Sequence, residues 1–250
     1  MKVAVFNTKS YDRQFLEEAN QSYRHELKFF DIQLNFETCK LAFGFEAVCG
    51  FVNDHFNREV LTQLAAHGTK LIALRCAGFN NVDLAAAKQL NLTVIRVPAY
   101  SPYGVAEHAM ALILALNRKI YRAYNRIRDG NFSLEGLLGF EIYGKTVGIL
   151  GTGRIGYAMA RILQGFGTKV LAYDVIRNPE CEALGVRYVS KEELFKLSDI
   201  ISLHLPLNKE TYHLIDKKAL AQMKDGVMLI NTSRGGLIDS VCLIEGFKSG

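Results

Sequence analysis

The sequence has few prolines, no long hydrophobic run and no grouped cysteines. It contains four prolines in 250 residues. No segment approaches the roughly 18 uncharged apolar residues that a membrane-spanning helix needs. The best candidate, residues 105–116, is short and contains Glu107 and His108. The N-terminus predicts a strand rather than a signal peptide. We therefore expect no membrane association.

Cysteine and charge patterns exclude further classes of protein. The five cysteines are Cys39, Cys49, Cys76, Cys181 and Cys242. Their number is odd and they lack metal or redox spacing, so we expect reduced thiols, no metal site and a cytoplasmic location. The net charge of +5 is mild. The one basic cluster, residues 118–128, predicts a solvated or subunit-facing helix, so nucleic acid is not an expected partner.

A glycine-rich turn separates a predicted strand from a predicted helix in the second half of the chain. Residues 145–150 are β-branched and apolar, as in a buried parallel strand. The turn follows at 151–156 with the sequence Gly-Thr-Gly-Arg-Ile-Gly, and helical apolar spacing runs through 154–166. A second strand over 169–173 ends at Asp174. Strand, turn, helix, strand and acid together predict a dinucleotide-binding unit.

Each glycine of this turn has its own part in the prediction. Gly151 permits the tight turn, Gly153 lets the backbone approach a pyrophosphate, and Gly156 allows the helix to pack on the strand. The helix N-terminus offers free N–H groups and a partial positive charge to phosphates. Asp174 can accept hydrogen bonds from the adenosine ribose and would repel a 2′-phosphate. Because no arginine adjoins it before Arg177, we predict NAD rather than NADP.

Strand and helix patterns alternate through the rest of the chain. Predicted strands cover residues 3–6, 27–30, 47–52, 70–74, 93–97, 200–205 and 227–231. Predicted helices cover residues 11–23, 58–66, 84–90, 102–128, 191–197 and 240–248, with a short one near Cys181. Repeated βα units of this kind predict parallel sheets covered by helices on both faces. A linker with two prolines and a glycine at 97–104 predicts two domains, residues 1–99 and 100–250.

Six short motifs occur in order along the chain. They lie at residues 74–83, 96–102, 106–109, 151–156, 204–207 and 231–235. With these motifs the chain resembles the D-isomer-specific 2-hydroxyacid dehydrogenases over essentially its whole length. The resemblance implies a flavodoxin-like substrate domain at 1–99 and a Rossmann NAD-binding domain at 100–250, with substrate in the cleft between them. It also implies reversible reduction of pyruvate to D-lactate by NADH.

The first domain is expected to bind the substrate. Ala77 and Gly78 follow a predicted parallel strand, at the edge where ligands of α/β proteins bind. The resemblance implies that Cys76, Ala77 and Gly78 hold the substrate carboxylate. The alternative is an ordinary turn in which Asn80 or Asn81 caps the next helix.

Two aromatic residues complete the expected substrate site. The resemblance suggests that Phe51 walls the side-chain pocket and favours a small methyl group; a core aromatic is the alternative. Tyr100 is expected to touch substrate or cofactor, and a packed hinge aromatic is its alternative.

Arg234 is the expected catalytic residue. It follows the predicted strand 227–231, and Gly235 and Gly236 leave room around it. A guanidinium can hold a carboxylate with two hydrogen bonds and polarise the adjacent ketone as that ketone gains negative charge. The alternative is a surface arginine in a turn.

The resemblance also implies a set of cofactor contacts. They are Gly151, Gly153, Arg154, Ile155 and Gly156 at the pyrophosphate; Asp174, Leu205, Pro206 and Thr211 at the adenosine side; Thr232 and Ser233 at the nicotinamide ribose; and Arg234.

The proton donor is not evident in the sequence. In this family a histidine supported by a glutamate protonates the forming alkoxide, and we expect both beyond Gly250. No histidine present here has a convincing glutamate partner. We therefore expect a chain truncated in its second domain, which binds NADH but turns over poorly or not at all.

Three further expectations concern alternatives and assembly. One alternative activity uses another 2-keto acid, such as a branched one, or glycerate. Another alternative is a nucleotide-sensing, corepressor-like binding protein. The resemblance implies a homodimer or higher homo-oligomer formed through the nucleotide-binding domain, along the predicted helix 102–128.

Overall fold

The computed structural model describes residues 1–249. It divides the chain into two compact units, Met1–Tyr100 and Ser101–Gly250. Each unit contains a five-stranded sheet in which every paired strand is parallel. The predicted α/β class with two parallel sheets is confirmed.

The first unit alternates strands and helices. Its elements are β1 Lys2–Val5, α1 Ser10–Asn20, β2 Glu26–Phe29, β3 Ala47–Gly50, α2 Arg58–Ala66, β4 Leu71–Leu74, α3 Leu84–Gln89 and β5 Thr93–Arg96. The strand order is β2-β1-β3-β4-β5, which is the flavodoxin-like order. The strand order reverses between β1 and β3, so the crevice at their carboxyl ends is the expected ligand position in this unit.

The second unit begins with two helices and continues as a βα series. Its elements are α4 Pro102–Asn117, α5 Ile120–Arg128, β6 Thr146–Leu150, α6 Arg154–Gly165, β7 Lys169–Tyr173, α7 Pro179–Ala183, β8 Arg187–Tyr188, α8 Lys191–Leu197, β9 Ile200–Leu203, α9 Lys217–Leu220, β10 Met228–Asn231 and α10 Ser240–Ser249. The sheet order β10-β9-β6-β7-β8 is that of a Rossmann fold. Its reversal point lies between β6 and β9.

Side-chain caps set the beginnings of several helices. The Ser190 hydroxyl accepts a hydrogen bond from the backbone N–H of Glu193 at 3.1 Å, at the start of α8. The Asp83 carboxylate accepts one from Ala86 N–H at 2.8 Å and begins α3. The alternative in which Asn80 or Asn81 caps this helix is therefore wrong.

The single helix predicted over 102–128 is wrong. The structure has two helices, α4 and α5, because Lys119 adopts a left-handed conformation with φ 50°. Asn117 is the last residue of α4. Its side chain accepts from Phe140 N–H at 2.8 Å and donates to Phe140 C=O at 2.7 Å. A contact 23 residues away thus holds the end of α4.

Other differences from the sequence predictions are short elements. The two-residue strand β8 and the four-residue helix α9 were not predicted. The strand predicted to extend through 205 ends at Leu203, so His204 and Leu205 lie in a loop. Within residues 1–249 the structure contains no helix with the length and apolarity required to cross a bilayer.

Candidate functional site

The glycine turn after β6 has no room for side chains at two of its three glycines. Gly151 has φ +95°, and a Cβ there would lie 2.7 Å from the carbonyl oxygen of His204. A Cβ at Gly156 would lie 2.0 Å from the carbonyl oxygen of Gly151. A Cβ at Gly153 would meet nothing within 4 Å. The backbone at Gly153 therefore faces open space at the N-terminus of α6, as a pyrophosphate cradle requires.

Asp174 lies directly after β7, beside this turn. Its Oδ2 accepts hydrogen bonds from the backbone N–H of Thr152 at 2.6 Å and from the Thr152 hydroxyl at 3.1 Å. The acid and the turn are 22 residues apart in sequence and are held together here. This is the arrangement in which a carboxylate can receive adenosine ribose hydroxyls.

The loop after β9 lies against the turn. A Cβ at Gly151 would approach the side chain of Leu205 at 3.1 Å. The Thr211 hydroxyl donates to the carbonyl oxygen of Pro206 at 2.6 Å and accepts from Asn208 N–H at 2.8 Å. Thr211 therefore closes the loop that begins at Pro206, and the hydroxyl is already hydrogen-bonded within it.

The segment after β10 carries Arg234. The Asn231 side chain donates to the carbonyl oxygen of Arg234 at 2.9 Å and accepts from Ser233 N–H at 2.9 Å. The Ser233 hydroxyl donates to the carbonyl oxygen of Leu203, the last residue of β9, at 3.0 Å. The Asn231 side chain thus fixes the shape of this turn. Arg234, which is half-buried, lies in the turn at the carboxyl edge of the sheet.

The expected room around Arg234 is present on one side only. A Cβ at Gly235 would meet nothing within 4 Å. A Cβ at Gly236 would approach Leu207 at 3.0 Å and Tyr212 at 3.7 Å.

Two buried polar atoms at this edge lack a partner among the described residues. They are the hydroxyl of Thr232, which follows β10, and Nδ1 of His204, which follows β9. An unpaired buried polar group costs free energy unless a ligand or water satisfies it. With the open backbone at Gly153, these atoms fit a polar ligand such as NAD at the crevice between β6 and β9.

In the first unit, the loop 76–78 follows β4. Hydrogen bonds to the carbonyl oxygens of the loop hold it in place. Arg96 donates from Nη1 to the carbonyl oxygens of Ala77 at 2.9 Å and of Pro98 at 3.2 Å. The Cys76 thiol donates to the carbonyl oxygen of Gly78 at 3.2 Å. Among the hydrogen bonds of the described residues, none is donated by the N–H groups of Ala77 and Gly78. Those groups are available to a carboxylate.

Arg75 was not recognised in the sequence, although it directly precedes this loop. Its Nη1 lies 2.6 Å from Asp12 Oδ1, and both side chains are largely buried. Its Nη2 donates to the carbonyl oxygens of Phe6 at 2.6 Å and of Asn7 at 3.3 Å. The guanidinium therefore joins the carboxyl ends of β1 and β4. In the sequence it was one residue of the motif 74–83 to which no role was given.

The two aromatic candidates differ in exposure. Phe51 follows β3, packs partly against the core of the first unit and lies 5.4 Å from the Arg75 guanidinium. Its partial packing fits the core alternative, and its role as a wall of the substrate pocket stays a prediction. Tyr100, the last residue of the first unit, is 41% exposed, and its contact with substrate or cofactor stays a prediction.

The histidines are placed differently from one another. His25, His55, His67 and His108 are exposed. His204 has Nε2 2.9 Å from the Ser202 hydroxyl, and burial lowers its pKa from 6.5 to about 4. His213 has Nδ1 3.7 Å from Asp239 Oδ2. No local pattern around His213 indicated this acid partner, which lies 26 residues away.

Comparison with known proteins agrees with this geometry. Residues 110–250 match the family model of the D-isomer specific 2-hydroxyacid dehydrogenase NAD-binding domain. The chain is 58% identical to D-lactate dehydrogenase of Escherichia coli, covering all of this chain and 76% of that protein. The apo structure of D-lactate dehydrogenase from Escherichia coli superposes with a TM-score of 0.94 at 58% identity, covering all of this chain and 79% of that one.

A more distant solved structure was determined with ligands. D-lactate dehydrogenase from Aquifex aeolicus, complexed with NAD and lactic acid, superposes with a TM-score of 0.87 at 37% identity, covering 99% of this chain and 74% of that one. The chain belongs to the D-isomer specific 2-hydroxyacid dehydrogenase family. The predicted family and NAD as cofactor are confirmed.

The buried imidazole of His204 leads to a testable pH dependence. Because its folded pKa is depressed, the unfolded chain binds more protons between pH 6.5 and pH 4. The free energy of unfolding should therefore fall by about 2 kcal/mol between pH 7 and pH 4.5 through this residue. His204→Asn should reduce that fall, measured by urea unfolding, whereas His25→Asn at an exposed site should not.

Proton NMR of the His204 ring gives the direct check. We expect the ring to remain neutral at pH 6 in the folded protein. A midpoint near 6.5 would contradict this assignment.

Proposed function

We propose that this protein is an NAD-dependent D-lactate dehydrogenase, which reduces pyruvate to D-lactate reversibly. The observation that carries the proposal is the position of Arg234, held at the carboxyl edge of the Rossmann sheet by Asn231. The dinucleotide turn and Asp174 lie at the same edge. Named D-lactate dehydrogenases among close relatives support pyruvate as the 2-keto acid.

We assign substrate carboxylate binding in the first unit to the loop at Cys76, Ala77 and Gly78. The N–H groups of Ala77 and Gly78 are available, since Arg96 holds the loop through the Ala77 carbonyl oxygen. Backbone N–H groups aimed at an anion form charge-assisted hydrogen bonds. Phe51, next to Arg75, is assigned to the wall for the substrate methyl group.

Arg234 is assigned to binding and polarising the 2-keto acid. A guanidinium remains charged at all working pH values and presents its N–H groups in one plane. It can bind a carboxylate and also stabilise the negative charge that grows on the ketone oxygen during reduction. Its backbone is fixed by Asn231, so the charge is positioned before substrate arrives.

The second unit is assigned to the cofactor. NADH supplies the hydride when bound. The N-terminus of α6, with Arg154 and Ile155, is assigned to the pyrophosphate, and Asp174 to the adenosine ribose. Leu205, Pro206 and Thr211 are assigned to the adenine side. The unpaired hydroxyl of Thr232, with Ser233, is assigned to the nicotinamide ribose.

Arg234→Lys tests the assignment of the guanidinium. Lysine keeps the charge but loses the planar pair of donors. We expect the mutation to weaken binding of oxamate, the amide isostere of pyruvate, to the NADH complex by roughly 10- to 100-fold. NADH affinity should change by less than about threefold. Calorimetric titration measures both quantities.

Arg187→Lys, at an exposed edge strand, is the matched control for this experiment. It should leave both affinities unchanged. Unchanged oxamate binding by the Arg234→Lys protein would refute the role of Arg234.

The proton for the alkoxide has no assigned donor among the described residues. His204 is neutral at working pH because burial depresses its pKa, so it cannot act as an acid there. His213 has a carboxylate neighbour, Asp239, at a distance longer than a hydrogen bond. We therefore expect the 250-residue chain to bind NADH and to reduce pyruvate slowly.

Steady-state oxidation of NADH in the presence of pyruvate measures this expectation. The product should be D-lactate, and branched 2-keto acids should be poorer substrates. His213→Asn should leave the slow rate and its pH profile unchanged. A fast rate that depends on His213 would show that the chain has its own proton donor.

The surface of α5 supports self-association. No residue of α5 is buried, and Ile120, Tyr124 and Ile127 lie on one face with exposures of 56%, 60% and 58%. Phe132 and Leu138, in the segment after α5, are also exposed. A cluster of exposed apolar side chains is typical of a protein interface. We propose that this surface of α5 joins two copies of the chain. It takes the place of the single helix over 102–128 that the sequence predicted as the interface.

The double variant Tyr124→Glu and Ile127→Glu tests this surface. Buried like charges would oppose association, so we expect the sedimentation mass to fall to that of a monomer. Phe15→Glu, on the exposed face of α1, is the control and should leave the mass unchanged. A monomeric mass for the unaltered protein would contradict the proposal.

A further inference from the structure

Thr152, the second residue of the glycine turn, is bonded through every polar group it has. Its side chain and backbone are 2% exposed. Its N–H donates to Asp174 Oδ2 at 2.6 Å, and its carbonyl oxygen accepts from the Asn178 side chain at 2.9 Å. Its hydroxyl bonds to both Asp174 and Tyr188.

The hydroxyl of Thr152 is part of a chain of hydrogen bonds that runs in one direction. Asn178 N–H donates to the Tyr188 hydroxyl at 2.9 Å, and that hydroxyl donates to Thr152 Oγ1 at 2.8 Å. Thr152 Oγ1 then donates to Asp174 Oδ2 at 3.1 Å. Successive donors polarise one another, so the last bond, to a carboxylate, is strengthened. The three residues and Asp174 come from β8, the turn after β6 and the loop after β7.

Tyr188 keeps the proton that this direction requires. Burial raises the pKa of its hydroxyl above the usual value of 10.0, although its hydrogen bonds with Thr152 and Asn178 act against the rise. The hydroxyl is therefore a donor throughout the physiological range.

The two carboxylate oxygens of Asp174 differ in the hydrogen bonds that they accept from the protein. Oδ2 accepts two hydrogen bonds from Thr152, at 2.6 Å from the backbone N–H and at 3.1 Å from the hydroxyl. Within residues 1–249, Oδ1 accepts one hydrogen bond, from the N–H of Ile176 at 3.4 Å. One carboxylate oxygen is thus occupied by the protein, and the other retains free lone pairs for a ligand. A carboxylate fixed in this way cannot rotate to avoid an incoming phosphate.

We propose that Thr152 and Tyr188 are positioning residues that set the preference for NADH over NADPH, by holding the Asp174 carboxylate in one orientation. The inference rests on the proposed binding of the adenosine ribose by Asp174. The oriented carboxylate receives the ribose hydroxyls of NADH and repels the 2′-phosphate of NADPH. A carboxylate that rotates freely would bind the ribose hydroxyls more weakly and would repel the 2′-phosphate less.

Binding of NADH and NADPH to the 250-residue chain tests the proposal without turnover. Thr152→Val keeps the shape and the backbone N–H but removes the hydroxyl. We expect the ratio of the two dissociation constants to move toward NADPH by about tenfold, the size of a charge-assisted hydrogen bond. Tyr188→Phe, one bond further from Asp174, should move it by about threefold. Fluorescence titration measures both constants.

Thr8→Val in the first unit is a matched control. Thr8 is also 2% exposed, and its hydroxyl donates to an aspartate, Asp31, at 3.1 Å. The control should lower the thermal midpoint as much as Thr152→Val does, yet leave the ratio unchanged. A tenfold ratio change in Thr8→Val as well would overturn the proposal, since the effect would then follow stability alone.

A double-mutant cycle separates positioning from a general structural role. In an Asp174→Asn background, Thr152→Val should change the ratio by less than about twofold, because the group it positions no longer repels phosphate. An equal change in both backgrounds would overturn the inference. If Thr152→Val leaves the ratio unchanged while the unaltered chain binds NADH, this inference fails alone. If the unaltered chain does not bind NADH, the assigned cofactor site fails with it.

Discussion

The contact between Gly156 and the carbonyl of Gly151 is the constraint on which the cofactor half of the molecule depends. Any side chain at Gly156 would overlap that carbonyl oxygen, with a Cβ only 2.0 Å away. Because glycine removes the overlap, α6 can begin directly after β6. The helix N-terminus then faces the reversal point of the sheet, between β6 and β9. Its N–H groups and the loops after β7, β9 and β10 share that edge.

Both units position arginine side chains through backbone carbonyl oxygens, and Arg75 in addition pairs with Asp12. Arg96 holds the loop 76–78 through carbonyl oxygens, and Arg75 spans the ends of β1 and β4 in the same way. Arg234 also donates to a carbonyl oxygen, that of Ser233, at 3.0 Å. Carbonyl groups beyond a strand end have lost their ladder partners and need donors. The fork of arginine supplies several at once, so these residues define the shape of the loops as well as their charge.

The sequence predictions succeeded where the signal is local. Apolar strands, helix periodicity and the cap at Ser190 depend on neighbours a few residues away, and those elements formed within one to three residues of their predicted bounds. The predicted helix 102–128 failed because its interruption depends on Asn117 binding Phe140. The strand β8 has two residues, too few for any alternation to be visible. The basic residues of 118–128 predicted a solvated or subunit-facing helix, and no residue of α5 is buried.

The sequence by itself determined the βα order, the glycines of the turn, the acid at the end of β7 and the arginine after β10. These features are properties of short segments, and their spacing carries the family and the cofactor. Only the tertiary structure decided which side chains meet. Thr152 bonds to Asp174 and Tyr188, 22 and 36 residues away, and His213 lies beside Asp239. Such pairs depend on the order of strands in the sheet, which brings distant loops to one edge, and no local pattern encodes that proximity.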